Sequence, residues 1–375
     1  MTAVAVIFWA SAGLLVYTHV GYPLVLWCLA RWRPVELDAG PVRDWPSVSM
    51  IVAAHDEEAT IGPWVRAARA LSYPPDRLEV IVASDGSADG TAGAARRAGA
   101  DLVLELPRGG KVAALNAAVE RGRGEILAFS DANAIWASDA LMHLVGRFGD
   151  ERIGYVCGRL RLAGEAGENQ EGLYWRYETA IRGLESRLAG VTAGNGAINA
   201  VRRDAYIALE PGRGQDISLP YELTKRGWRA TYEPNAVAVE PMAATLGSEF
   251  RRKRRMLAGA WATILRHGML SPRGYSPAYA FEILSHRALR YASPLLHLVA
   301  LGTNIALLGN GAIYWITLGA QVALLLAAAL APVLPVAPLR IARYYLAVTA
   351  ASAAGLWDFL TGGVPVTWEK AAGTR

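Results

Sequence analysis

Cysteine is nearly absent: the 375 residues contain only Cys28 and Cys157. One lies in an apolar N-terminal stretch and the other mid-chain, so they give no disulfide framework and both are expected to be reduced. Charge is sparse too, at 19% of residues against 53% hydrophobic, which is apolar for a soluble protein. The deficit sits at the ends. Residues 1–30 hold no charged side chain, with His19 their only group that ordinarily titrates near neutral pH, and a second apolar region runs from 291 to 363. Two common nucleotide loops are also missing. No G-x-x-x-x-G-K-[ST] occurs, and no G-x-G-x-x-G follows the first apolar run of the middle region, so P-loop and dinucleotide readings lack their fingerprints. The net charge of +5 owes much to Arg251, Arg252, Lys253, Arg254 and Arg255. Such a cluster suits an anionic membrane surface better than nucleic acid, which is not an expected partner.

The apolar ends read as membrane segments. Each has on the order of 20 apolar residues, enough for a bilayer core of about 30 Å. The pattern predicts four spans, at 3–30, 291–309, 313–331 and 342–361. The first lacks the basic start and small-residue cleavage site of a signal peptide and is too long for its apolar core. Arg31, Arg33 and Arg43 follow that span, which puts the middle region in the cytosol and the protein in the cytoplasmic (inner) membrane as a multi-pass chain. Arg287, Arg290, Arg340 and Arg343 agree with this; Lys370 and Arg375, placed outside by four spans, do not. The resulting division is a transmembrane helix at 1–32, a catalytic domain at 46–245, basic interfacial helices at 246–290, membrane helices at 291–363 and a tail at 364–375.

Between 46 and 245 short apolar runs alternate with helical patterns. Strands are predicted at 48–54, 78–84, 101–106 and 125–131, and helices at 57–71, 88–99 and 111–122. This is the signature of right-handed βαβ units and a mostly parallel sheet, an α/β fold whose ligands bind at the carboxyl ends of its strands. Those ends are polar: His55, Asp56, Glu57 and Glu58; Asp85, Gly86, Ser87 and Asp89; Arg108, Gly109, Gly110 and Lys111; Asp131 and Asn133. One acidic strand end is ordinarily a helix cap or turn. Four in one crevice fit a nucleotide diphosphate with Mg²⁺ or Mn²⁺, the oxygens meeting the cation and Lys111 the phosphates.

Taken in order, "VAAHDEEATI", "VIVASDGSADGT", "GGKVAALNAAV", "FSDAN" and "GQDISLPYELTKRGWR" resemble the inverting family-2 glycosyltransferases of GT-A fold, over residues 48–256. The flanking apolar helices are similar to the membrane-bound polysaccharide-synthase branch. The resemblance implies that His55, Glu57 and Asp85 hold the nucleoside of a UDP-sugar and that Lys111 contacts its diphosphate. Asp131 and Asn133 fall on the D-x-D position for nucleotide and metal, with an amide where the last carboxylate is usual. His55 stands where Tyr is usual, and Asp56 where Asn is. Asp216 falls on the general base, with Gln215 in place of Glu. Taken alone, Asp216 also reads as a helix N-cap. Gly194 and Asn195, with Arg252 and Arg255, fall on the acceptor side, and Met256 replaces a sugar-stacking Trp. Trp175, Trp228 and Trp261 are either sugar platforms or packing, with Trp261 the substitute platform.

The implied activity is membrane-embedded transfer of a sugar to a lipid-linked or saccharide acceptor, in exopolysaccharide, glycolipid or cell-envelope synthesis. Loss of the stacking Trp implies addition of one or a few sugars. One rival is a polyprenyl-phosphate glycosyltransferase, with Arg251–Arg255 at the phosphate. Another is a membrane transporter or scaffold with a degenerate nucleotide-sugar domain. The spans hold almost no ionisable groups beyond His19, His297 and Asp358, which argues against an ion-coupled transporter.

Overall fold

The computed structural model describes residues 2–32, 35, 44–163, 170–241, 246–334 and 336–364. The chain opens with one long helix in three pieces: α1 (Thr2–Val16), a π turn (Tyr17–Gly21) and α2 (Tyr22–Trp32). Pro23 explains the turn. It has no N–H to give the carbonyl of His19, and the Tyr177 hydroxyl donates to that carbonyl instead at 3.0 Å. At 31 residues the helix is about 46 Å long, more than a bilayer core. Its second piece, α2, buries Tyr22 and Leu26 against Ile181.

The middle region follows as β1 (Val48–Ala54), α3 (Glu58–Arg69), β2 (Leu78–Asp85), α4 (Thr91–Arg97), β3 (Leu102–Leu106), α5 (Lys111–Arg121) and β4 (Ile126–Ser130). These agree with the predicted elements to within a few residues. β1 lies between β2 and β4, parallel to both, with Val52 opposite Val82 and Ser130. Alternate residues supply two cores. Met50, Val52, Val80 and Val82 face the side covered by α3, and Ile51, Ile81, Leu127 and Phe129 face α5 through Leu115 and Ala118.

Next come β5 (Ile135–Trp136), α6 (Ala140–Gly146), β6 (Ile153–Ala163), α7 (Gln170–Leu188), β7 (Ile198–Arg202), α8 (Gln215–Lys225) and β8 (Arg229–Pro241). They complete an eight-stranded sheet of order β3-β2-β1-β4-β7-β6-β8-β5. The expectation of a mostly parallel sheet holds over β3-β2-β1-β4. β7 enters antiparallel to both β4 and β6, and β5 pairs antiparallel with β8. β7 starts at the edge where β4 ends, so it runs back across the sheet. Strand order reverses at β1, and that switch point opens a crevice at the carboxyl ends of β1, β2 and β4.

The C-terminal part is helical: α9 (Leu246–Leu265), α10 (Pro277–Glu282), a π turn (Ile283–Ala288), α11 (Leu289–Tyr291), α12 (Ser293–Ala306), α13 (Ala312–Leu330) and α14 (Ala337–Thr361). Of the four expected spans, two are helices long and apolar enough to cross a bilayer, Thr2–Trp32 and Ala312–Leu330. With 14 residues α12 is about 21 Å long, short of the hydrocarbon core. α14 docks on α9: Arg254 holds Asp358 through two bonds of 2.7 and 2.6 Å, and the Trp261 indole donates to the Ser352 carbonyl. Arg33, Arg43, Lys370 and Arg375, which entered the orientation reading, lie outside the described residues.

Candidate active site

The crevice is assembled from loops that hold one another. Asp56 leaves β1 with φ +51°, the single positive φ outside glycine among the described residues. Its carboxylate accepts from the Ala88 amide at 2.8 Å, and its own amide donates to Ser87 Oγ at 3.1 Å. The Glu57 amide donates to Thr91 Oγ1 at 2.8 Å, and His55 Nδ1 lies 2.8 Å from the Asp85 carbonyl. Asp85 is buried and gathers the next loop. Its carboxylate accepts from the amides of Gly109 (2.6 Å) and Gly110 (3.0 Å) and from Arg108 (3.0 Å). A Cβ on Gly86 would come within 2.9 Å of the Arg108 backbone, so only glycine admits this approach. Asp85 thus shapes the 108–111 loop, and His55 and Glu57 stand on the neighbouring rim.

That loop aims Lys111. Gly110 caps α5 with φ +90°, and Lys111, the first residue of the helix, forms an ion pair with Asp131 at the end of β4. Burial favours the neutral amine, but Asp131, helped by Asp216 and Glu240, outweighs it and holds the Lys111 pKa above its usual value. Asp131, Ala132, Asn133 and Ala134 form a turn closed by the Ala134 amide on the Asp131 carbonyl at 3.0 Å. The turn uses the Asp131 backbone and leaves its carboxylate to the pair with Lys111. Gly196 borders the ion pair: a Cβ there would lie 3.3 Å from Lys111 Nζ and 3.4 Å from Asp131 Oδ2.

Asp216 approaches from the other half of the sheet. The N-cap of α8 is Gly214, so Asp216 sits inside the first turn and is not the cap, though its charge suits a helix N-terminus. Burial raises its pKa above the ordinary carboxylate value, Lys111 opposes the rise and Asp131 adds to it. Its backbone carbonyl accepts from the Gly194 amide at 2.8 Å. Gly194 is forced by packing, since a Cβ would fall 1.9 Å from the Tyr155 hydroxyl. Asn195 is committed to its own turn, donating to the Gly158 carbonyl at 2.7 Å and accepting from the Ile198 amide at 2.9 Å. Gln215 is nine-tenths buried, with no bond to its Nε2.

α9 passes alongside, with Ala260 and Ile264 packed in one cluster with Ile217 and Ala193. Arg252 on this helix pairs with Glu249 at 2.7 Å, Arg255 is partly exposed and Met256 is 52% exposed. Trp261 is buried against Phe359 and cannot serve as a substitute sugar platform. Trp228 packs against Gly154, and the Trp175 side chain lies outside the described residues. Two contributors escaped the sequence reading. Glu240 on β8 is one, hidden in an alternating strand. Arg182 on α7 is the other; its signal is the spacing Glu178, Arg182, Glu185, three charged and buried positions on one helical stripe.

This sheet order, with its acidic crevice and lysine at the switch point, defines an α/β domain of the GT-A glycosyltransferase type. Residues 49–209 match the family model of Glycosyl transferase family 2. Across 94% of this chain and 99% of the other, the fold superposes on the mannosyltransferase PcManGT from Pyrobaculum calidifontis, solved with GDP-Man and Mn²⁺, at TM-score 0.71 and 26% identity. Among sequence relatives, the β-monoglucosyldiacylglycerol synthase of Trichormus variabilis is 33% identical over 202 residues, 48% of this chain and 41% of that one. The poly-β-1,6-N-acetyl-D-glucosamine synthase of Staphylococcus aureus is 24% identical over 237 residues, 60% of this chain and 57% of that one. The chain spans about half the length of the curated relatives it matches.

Proposed function

We propose that the protein is a membrane-embedded inverting glycosyltransferase that moves a sugar from a UDP-sugar to a lipid-linked or saccharide acceptor. The carrying observation is the meeting of Lys111, Asp131 and Asp216, from three separate segments, at the carboxyl edge of the sheet. In this reading His55, Glu57 and the loop shaped by Asp85 receive the nucleoside. Lys111 sets its ammonium against the diphosphate as the bond to the anomeric carbon breaks. Asp216 takes the proton from the acceptor hydroxyl, which attacks from the face opposite the leaving group. A base held above the ordinary carboxylate pKa is better matched to that proton. The segment 194–196, Gln215, and Arg252 and Arg255 of α9 form the acceptor side.

The residues fit a divalent cation. Lys111 pairs with Asp131 Oδ1, and Oδ2 faces the gap left by Gly196. No cluster of three His, Cys, Asp or Glu ligands exists among the described residues. One carboxylate and an amide, Asp131 and Asn133, suit Mg²⁺ or Mn²⁺ whose remaining ligands are phosphate oxygens and water. Such a cation would supply charge neutralisation on the leaving diphosphate.

The proposed division follows the expected boundaries: a membrane helix at 1–32, the catalytic domain at 46–245 facing the cytosol, interfacial helices at 246–290, and membrane helices within 291–363. Because the P. calidifontis mannosyltransferase was solved with GDP-Man, the deciding experiment screens both UDP- and GDP-sugars. Purified full-length protein is assayed for nucleotide release with and without EDTA and with lipid-linked and free saccharide acceptors. Absence of turnover with every donor would leave the scaffold reading in its place.

A further inference from the structure

Two buried side chains of α7, one turn apart, hold the segment between α7 and β7. Arg182 is 5% exposed, and its guanidinium donates to the carbonyls of Ala193 at 3.2 Å and Gly194 at 3.1 Å. It also lies over the Tyr232 ring, 5.9 Å from its centroid. Gly194 in turn donates its amide to the Asp216 carbonyl. Glu185 is fully buried and joins three elements. It accepts from the Thr192 amide (3.3 Å) and hydroxyl (3.1 Å), from the Tyr22 hydroxyl of the N-terminal helix (2.9 Å), and contacts His286 Nδ1 of the second π turn at 2.6 Å. Arg287, from the same turn, donates to Thr192 Oγ1 at 2.8 Å. An unbroken line of bonds therefore runs from the apolar N-terminal helix through Glu185, Thr192, Ala193 and Gly194 to the backbone of Asp216.

We propose that Arg182 and Glu185 are positioning residues for sugar transfer. They fix the 192–194 segment, and through it Asp216, in a register set by the N-terminal helix and the His286 turn. This inference rests on the proposed role of Asp216. The physical basis is selectivity: the bonds reach the side of the crevice that carries Asp216, whereas the 108–111 loop is held separately by Asp85. Losing the α7 bonds should therefore misplace the base while leaving the donor half intact. Neutral replacements also strand polar partners: without Arg182, two buried carbonyls lose their donor.

The test uses full-length Arg182→Met, Arg182→Lys and Glu185→Gln in detergent, with two readouts. Transfer to acceptor and acceptor-independent hydrolysis of the donor are measured side by side. Arg182→Met should lower transfer roughly 100-fold and raise the acceptor KM, because a misplacement of about 1 Å suffices for that loss. Hydrolysis and donor KM should stay near the parent values, and Arg182→Lys should recover part of the transfer. Hydrogen–deuterium exchange is the second readout: amides at 192–195, Gly194 above all, should exchange faster in Arg182→Met and Glu185→Gln, with 108–111 unchanged. Equal losses of transfer and hydrolysis, or unchanged exchange at 192–195, would overturn the proposal. If the parent turns over no donor, the proposed function fails while exchange still decides whether α7 holds this segment.

Discussion

Asp216→Asn is the substitution that bears most directly on the chemistry. Asn has nearly the same shape, so the first turn of α8, the Gly214 cap and the bond from the Gly194 amide should all survive. Two electrostatic effects oppose one another in the folded state. A favourable charge near a helix N-terminus is lost, worth about 0.3–1 kcal/mol, and so is the unfavourable proximity to Asp131 that helps raise the Asp216 pKa. Structure should thus hold while the proton acceptor disappears. Loss of a positioned base costs about 10²–10⁴ in rate, which is about 2.7–5.4 kcal/mol in the barrier. The assay is nucleotide release with acceptor present, at saturating donor, alongside direct titration of the nucleotide. Turnover should fall by that factor with nucleotide affinity little changed. A variant retaining more than about a tenth of parent turnover would refute the reasoning, since a positioned general base typically contributes about a hundredfold or more.

Further outcomes follow from the same geometry. Because the folded-state pKa of Asp216 is raised, the acid limb of kcat/KM should lie above the ordinary carboxylate pKa, activity falling as pH drops through it. The linked stability runs the opposite way: the proton-binding advantage of the folded state is present at low pH and lost as pH rises through the raised value, so Asp216→Asn should raise Tm at neutral pH and not in acid. Asp131→Ala should abolish cation-dependent nucleotide binding, measured by calorimetry, with EDTA reproducing the loss in the parent, while Asn133→Asp should tighten binding by adding a charge. Gly194→Ala should destabilise by about 1–3 kcal/mol through its clash with Tyr155, read by thermal unfolding; Tyr155→Phe, which removes a buried hydroxyl lacking a partner, should be nearly neutral alone and relieve part of that cost. With Met256 exposed where a stacking Trp is usual and Trp261 buried, products at limiting enzyme should carry one or a few added sugars, and long chains beside unextended acceptor would contradict this.

What the sequence made legible was local. The strands β1 to β4 are short apolar runs ending in polar residues, and their period and punctuation place Asp85, Lys111 and Asp131 at one sheet edge without any tertiary knowledge. The antiparallel return of β7 was not legible, because a buried strand reads alike in either direction. Among the described residues, two of the four expected membrane segments are helices long and apolar enough to cross a bilayer. Composition reports how apolar a helix is, not whether lipid or protein covers it, and the docking of α14 on α9 depends on Arg254 and Asp358, 104 residues apart. Arg182 and Glu185 left only the charged spacing 178, 182, 185 as a trace, and a charged helical residue normally signals solvent. Only the partners around them reveal burial with compensation.

The two halves of the crevice also differ in what anchors them, which bears on how the substrates would reach it. The nucleotide half consists of loops after β1, β2 and β3, cross-braced by Asp56, Asp85 and Ser87. The Asp216 half is tied to helices outside the sheet twice, once through Ile217 against Ala260 and Ile264 of the basic helix α9, and once through Glu185 to Tyr22 of the N-terminal helix. A soluble donor needs only the first half, preformed and open to the cytosol in the proposed orientation. Under the proposed membrane placement, a lipid-tethered acceptor would be presented at a fixed height above the bilayer, and a base tied to the N-terminal helix would keep that height. The N-terminal helix, at 31 residues, is longer than a hydrocarbon core requires, and its second piece, α2, packs on α7.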